Sequence, residues 1–232
     1  MKLNVLNYLL ELKYGKILKE HQDQIDNADK VFSKYAEIFM DEPYPLPEST
    51  TKEIESLISI QKENMNSVAW QDIKEFIQGC DEDPISVMEQ YCKAIDIDFK
   101  RAYVEKLQEK IGGLILILKK HYNRPRPYQF AYYTNQDFNP LYSSSAISPA
   151  YPSGHTIQAY FICEVIAFHN PEKREDIMQL AKMIADSREI LGVHYESDNL
   201  FSRYIVDELI KQKEIKDIYF NPKKLKKEKQ EN

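Results

Sequence analysis

Glycine is scarce in this chain, with 6 in 232 residues. Together with a charged content of 29%, that scarcity suits a helical protein. Cysteine is also sparse: Cys80, Cys92 and Cys163 are scattered, odd in number and without metal or redox spacing, which reads as free thiols in a reducing compartment. A long apolar run is missing. The most apolar stretch, Ile111 to Leu118, falls far short of the ~20 residues needed to cross a bilayer. Positive charge is not in excess either: the formal net charge is -6, which argues against nucleic acid as the main partner. At the N-terminus, Asn4, Asn7 and Glu11 interrupt Val5, Leu6, Leu9 and Leu10, and no small-residue cleavage site follows. No signal peptide is read, and the expectation is a cytoplasmic protein without a membrane span.

What is present is helical periodicity. A 3.6-residue pattern predicts helices over Leu3 to Lys19 and Asn27 to Met40, the second ended by Pro43-Tyr44-Pro45-Leu46-Pro47. Thr50 and Glu53 have the spacing of a capping box, opening one long helix from Thr51 to Gln78 with Gly79 as its C-terminal stop. Asp83-Pro84 begins another. The stretch from Asp98 to His121 is apolar on all sides toward its end, which marks a buried central helix. About thirty residues to Tyr151 carry no helical period but many aromatics, fitting either a satellite core or a substrate mouth. Helices return at Thr156 to Phe168, after Asn170-Pro171 to Leu191, and from Ser197. The expectation is an all-α, single-domain bundle of about eight helices over 1–220, with N-terminal helices over 1–97 and a motif-bearing core over 98–212. A mobile Lys/Glu-rich tail would occupy 221–232. The apolar surface of the two N-terminal helices would serve as a lid or as a contact in a homo-oligomer.

Three polar clusters interrupt apolar helix ends: Lys119 with Arg126, Ser153-Gly154-His155 after Pro152, and Ser187-Arg188 with His194 and Asp198. Each has a bland reading alone, as a helix cap, a dipole partner or a structural hydrogen bond. Together they suit phosphoryl transfer, which needs cations and amide donors around three oxygens, a nucleophile in line, and an acid for the leaving oxygen. Lys119, Arg126 and Arg188 supply the cations. Ser153 and Gly154 supply amides and a hydroxyl at a helix N-terminus, where free N–H groups and the dipole favour an anion. Asp198, four residues after His194, can hold one imidazole nitrogen and leave the other free to attack. His155 would then be the general acid, its proton held by a bound phosphate dianion.

Lys119-x6-Arg126-Pro127, Pro152-Ser153-Gly154-His155 and Ser187-Arg188-x5-His194-x3-Asp198 resemble the three-part signature of the type 2 phosphatidic acid phosphatase superfamily, which includes class A acid phosphatases and vanadium haloperoxidases. The resemblance covers Lys119 to Asp198. It implies an acid phosphatase/haloperoxidase-like bundle of the soluble branch, acting as a metal-independent phosphomonoesterase, with phosphotransferase activity open to it. It also implies a phosphohistidine at His194 oriented by Asp198, protonation of the leaving group by His155, and phosphate held by Lys119, Arg126, Ser153, Gly154 and Arg188. No cofactor is implied, although vanadate could fill the phosphate site. The expected partner is a small phosphomonoester. A vanadate-dependent haloperoxidase and a non-catalytic anion-binding bundle are the alternatives.

Overall fold

The apolar stretch read as the buried centre is a 22-residue helix in the computed structural model, which describes residue 9 and residues 11–221. In chain order the helices are α1 (Lys19–Asp26), α2 (Lys30–Ser33), α3 (Ala36–Met40), α4 (Pro47–Met65), α5 (Trp70–Glu82), α6 (Pro84–Ala94), α7 (Arg101–Tyr122), α8 (Pro127–Thr134), α9 (Gly154–His169), α10 (Arg174–Ile190), α11 (Glu196–Leu209) and α12 (Lys213–Tyr219). A 3-10 turn, Pro171–Lys173, precedes α10. No strand occurs among the described residues, so the fold is an all-α bundle.

The core is built on α7 and α9. Val104, Leu107, Ile111, Leu114 and Leu118 of α7 are buried in one core with Ile157, Phe161, Ile162 and Val165 of α9, and α9 in turn packs on α10 and α11. At ~25 cal/mol per Å² of apolar surface removed from water, this burial is the main favourable term of folding. Gly113 lets the α1–α2 connection lie directly on α7: a Cβ there would stand 2.5 Å from the Ala28 Cβ. The bundle thereby brings four ends together, namely the C-terminus of α7, the N-terminus of α9, the C-terminus of α10 and the N-terminus of α11. These are the ends that carry the polar clusters.

Several predicted elements are revised. Of the helix predicted over Leu3 to Lys19, residues 1–8 and 10 lie outside the described residues, and 12–18 are irregular. The tail beyond Asn221 also lies outside them. The helix predicted over Asn27 to Met40 is divided, because the Tyr35 amide bonds back three residues to the Phe32 carbonyl and tightens the chain into a turn. The long helix predicted over Thr51 to Gln78 breaks at Asn66–Ala69, where the Ser67 hydroxyl accepts from the Ala69 amide at 3.2 Å and competes with helical bonding. Its second part runs through Gly79 to Glu82 rather than stopping there. The aromatic stretch contains α8, started by Pro127 at its first position. Its rings divide: Phe130, Phe138 and Tyr151 are buried, whereas Tyr128, Tyr132, Tyr133 and Tyr142 are exposed.

Candidate functional site

His194 stands in the turn joining α10 to α11. Gly192 makes that turn possible at φ 74°, a conformation that disfavours side chains. A Cβ there would also meet Phe138 Cζ at 2.6 Å and Gln61 Nε2 at 2.7 Å. The buried His194 ring is held from both sides. Nδ1 is 2.9 Å from Asp198 Oδ2, and Nε2 is 3.0 Å from Arg126 Nη1. A guanidinium can only donate, so Nε2 carries the lone pair and Nδ1 carries the proton that it gives to Asp198. Asp198 Oδ2 also accepts from the Tyr195 amide at 3.0 Å, in the first turn of α11. Burial pushes the Asp198 carboxyl up, against the Arg124 guanidinium and the Tyr195 amide.

The predicted cations converge on this ring from three helix ends. Arg126, at the N-cap of α8, donates from Nε to the Ser148 carbonyl at 2.8 Å and from Nη1 to the Val193 carbonyl at 2.7 Å. Lys119, in the last turn of α7, donates to the Pro149 carbonyl at 2.5 Å. Gly154 opens α9, and a Cβ there would stand 3.3 Å from Ile115 Cγ2 and 3.7 Å from Lys119 Cε, so the glycine lets this helix start lie against the lysine. Ser153 is the N-cap, yet its side chain makes no capping bond to the helix amides. Arg188, at the end of α10, is 1% exposed. Its Nη2 donates to Asp81 Oδ1 at 2.8 Å and to Ser145 Oγ at 3.0 Å, while Nε and Nη1 are buried without a hydrogen-bond partner among the described residues.

The electrostatics of the cluster follow from burying like charges side by side. Burial, reinforced by Arg126, Lys119 and Arg188, pushes the His194 imidazole well below its ordinary value. Burial and then Arg188 do the same to His155, against the pull of Asp81. Lys119 is pushed well down by burial and by Arg126, and Arg126 is lowered to about 10 by burial and by Arg188. Arg188 is lowered by burial, with Asp81 opposing. Cations buried side by side favour losing charge unless a negative group arrives among them.

Four functional positions escaped the sequence reading. Arg124, two residues from Arg126, points elsewhere: Nη1 donates to Asp198 Oδ1 at 2.6 Å, and Nη2 to Glu53 Oε2 at 3.0 Å and Thr50 Oγ1 at 3.1 Å. Its guanidinium lies 3.8 Å from the centre of the Tyr195 ring. The predicted Thr50–Glu53 capping box is therefore corrected. The helix begins at Pro47, Glu53 pairs with Arg124 and caps the Ser197 amide at 2.7 Å, and Thr50 accepts from Arg124. The fourth position is Asp81 in α5. It accepts from the hydroxyls of Ser143 at 2.6 Å, Ser144 at 3.3 Å and Ser145 at 2.5 Å, from the Ser144 amide at 2.8 Å, and from Arg188. These donors hold its carboxyl well below the usual range despite burial. Arg124 was signalled only by the arginine string it belongs to, and Asp81 by nothing beyond an acidic helix end.

Near the site, burial raises the Glu189 carboxyl to about 7, with Asp186, Glu196 and Asp198 adding to it and the Asn199 amide opposing. The folded chain thus holds a proton that the unfolded chain has released between about pH 4.5 and 7. Stability falls as pH rises through that window. Glu189→Gln is expected to be more stable than the parent by about 1–2 kcal/mol at pH 8, after allowing for water at a partly exposed carboxylate, and equal to it at pH 4. Urea unfolding at both pH values measures the difference, and a pH-independent difference would contradict the raised carboxyl.

Residues 111–206 match the PAP2 superfamily, and all eight residues singled out for the site lie inside that range. Over that stretch the chain is similar to the superfamily. It is distantly related to non-specific acid phosphatases. That of Salmonella typhi is 30% identical over 101 residues, 41% of this chain and 39% of that protein. That of Salmonella typhimurium is 30% identical over 90 residues, 38% of this chain and 34% of that protein. The chain thus spans little more than a third of the length of these relatives. Among solved structures, a transmembrane PAP2 type phosphatidylglycerolphosphate phosphatase from Bacillus subtilis is similar at 20% identity and a TM-score of 0.37, over 90% of this chain and 92% of that one. No helix among the described residues is long and apolar enough to cross a membrane.

Proposed function

We propose that the protein is a metal-independent phosphoric monoester hydrolase that works through a phosphohistidine on His194. The observation that carries this is Arg188, whose buried Nε and Nη1 groups have no partner among the described residues, in a pocket of buried cations. Unpaired buried donors are costly, at ~1–3 kcal/mol each, and a tetrahedral oxyanion satisfies them.

In this reading Lys119, Arg126, Arg188 and the amides at the start of α9 hold the phosphoryl oxygens. Arg126 leaves the Nε2 lone pair of His194 for a phosphoryl oxygen, and Nε2 attacks phosphorus in line. The Nδ1–H bond to Asp198 stabilises the positive ring that forms. The bond from phosphorus to the ester oxygen breaks, and His155 gives that oxygen its proton. Water then attacks phosphorus, with His155 as base, releasing phosphate and restoring His194. The depressed imidazoles support this division. Neutral His194 is nucleophilic without first losing a proton, and the arriving dianion raises His155 toward its protonated form. Asp81 and Glu53 support treating the N-terminal helices and the motif-bearing core as one functional unit, since both carboxylates reach side chains of the site.

The test is phosphate release from aryl and alkyl phosphomonoesters in the presence of a chelator, between pH 4 and 8. Turnover without metal is expected, and its absence from folded protein overturns the reading. His155→Ala is expected to slow alkyl esters by ~10²–10⁴-fold and activated aryl esters far less, because only the poor leaving group needs the proton. Equal losses for both classes would remove His155 from the acid role.

A further inference from the structure

Glu53 lies on α4, far in sequence from the three motifs, yet both its oxygens end beside the turn that carries His194. Oε2 accepts from Arg124 Nη2 at 3.0 Å, and Oε1 accepts from the Ser197 amide at 2.7 Å, in the first turn of α11. The other arm of the guanidinium, Nη1, donates to Asp198 Oδ1 at 2.6 Å and to the Ser197 hydroxyl at 2.7 Å. The Tyr195 ring, 3.8 Å away, fixes the plane of the fork. Asp198 Oδ2 in turn accepts from the Tyr195 amide at 3.0 Å and from His194 Nδ1 at 2.9 Å. Glu53, Arg124, Asp198 and His194 thus stand in a row, each touching the next. Arg124, Asp198 and His194 are buried, and the Glu53 side chain is 13% exposed. The charges behind the ring alternate, from carboxylate to guanidinium to carboxylate. Asp198 and Arg124 alone would form a neutral pair, and the guanidinium would weaken Asp198 as an acceptor for the Nδ1–H. Glu53 offsets the guanidinium, so the three together carry one net negative charge. In a weakly screened interior that charge favours a positive ring.

We infer that Glu53 is a positioning residue for the nucleophile: by holding and offsetting Arg124, it keeps Asp198 a strong acceptor behind His194. This rests on the phosphohistidine reading of the site and refines it. In the first half-reaction Nε2 bonds to phosphorus, the ester oxygen leaves with the proton of His155, and the ring gains positive charge. In the second, water bonds to phosphorus and gives its proton to His155, the bond to Nε2 breaks, and the ring loses that charge. Taking negative charge from behind the ring therefore acts on the two steps in opposite directions. Formation of the phosphohistidine slows, because charge builds on the ring. Its hydrolysis does not slow, because charge leaves the ring. A glutamate that only braced α4 against α11 would behave differently, since its loss would loosen the site and slow both steps.

Glu53→Gln removes the charge at nearly constant shape. Rapid quenching with a labelled aryl phosphate measures both half-reactions on the folded protein. The rate of phosphohistidine formation is expected to fall by about 10-fold, with hydrolysis as fast as in the parent or faster. Glu53→Asp withdraws the carboxylate by one methylene; it is expected to show the same split in smaller measure and serves if Glu53→Gln does not fold. Slowing of both steps, or of neither, overturns the inference. The phosphatase reading is tested apart from it, because a parent that turns over no ester fails that reading alone. The inference is then decided by the His194 Nδ1 proton in the NMR spectrum of the resting protein. Its low-field resonance is expected to move upfield in Glu53→Gln as the bond to Asp198 weakens, and an unmoved resonance overturns the role of Glu53.

Discussion

His194→Ala is expected to lower phosphate release from an aryl phosphate by ~10⁴-fold or more while the protein keeps its fold. In the proposed mechanism Nε2 is the nucleophile, and its tautomer is fixed: Asp198 accepts from Nδ1, and Arg126 can only donate toward Nε2. Alanine removes the atom that would bond to phosphorus, and water held by the same cations is a poor substitute. Rapid acid-free quenching with labelled substrate should trap a phosphohistidine in the parent and none in the variant. Phosphate should still bind to His194→Ala, because Arg188 and Lys119 remain. Turnover within tenfold of the parent would remove His194 from the nucleophile role.

Arg124→Leu should cost the fold about 3–5 kcal/mol. Arg124 is 1% exposed and neutralises Asp198, itself fully buried, together with Glu53. Removing one partner of such a pair leaves the carboxylates in a low-dielectric interior with neither water nor a counter-charge. The loss also spreads beyond the charge. The guanidinium packs on the Tyr195 ring and holds Thr50 and Ser197, so α4, α7 and α11 share the one side chain. For a chain of this size the midpoint of thermal unfolding should fall by ~6–20 °C. Arg124→Lys should fall between, since a single ammonium can reach Asp198 or Glu53 but cannot present a fork to both. A midpoint within 2 °C of the parent in Arg124→Leu would show that Asp198 is compensated from elsewhere.

The effect on catalysis would be indirect and informative. Arg124 acts on Asp198 Oδ1, while His194 holds Oδ2. Its two alternating neighbours illustrate what spacing alone conceals. Arg124 and Arg126 flank Pro125 between the end of α7 and the start of α8, and their side chains diverge although a plain extended chain would place alternate residues on one face. One reaches the carboxylate behind the histidine, and the other reaches the histidine itself. In the sequence they are two arginines in a proline-rich string.

What was legible in the sequence by itself was the helical character, the buried α7, the apolar α9, and the eight residues proposed for the site. These are local matters: a 3.6-residue apolar period needs only neighbours three and four positions away, and a histidine four residues before an aspartate on the same turn needs no more than that. Helix limits were less legible, because Asn66 and Ser67 can either continue a helix or compete with it, and packing decides. Glu53 shows the same limit. Its spacing from Thr50 fits a capping box, but the pairing with Arg124 in the interior outweighs a cap bond at a solvated helix end.

The tertiary structure alone decided where each polar group spends its hydrogen bonds. Asp81 is 107 residues from Arg188, and Glu53 is 71 from Arg124. No local pattern encodes such pairs, because they form only when the bundle brings separate helix ends together and excludes the water that would otherwise satisfy them. The same exclusion leaves Nε and Nη1 of Arg188 without a partner among the described residues. A sequence names the donors and acceptors; burial, by removing water as the alternative partner, is what makes their pairing specific.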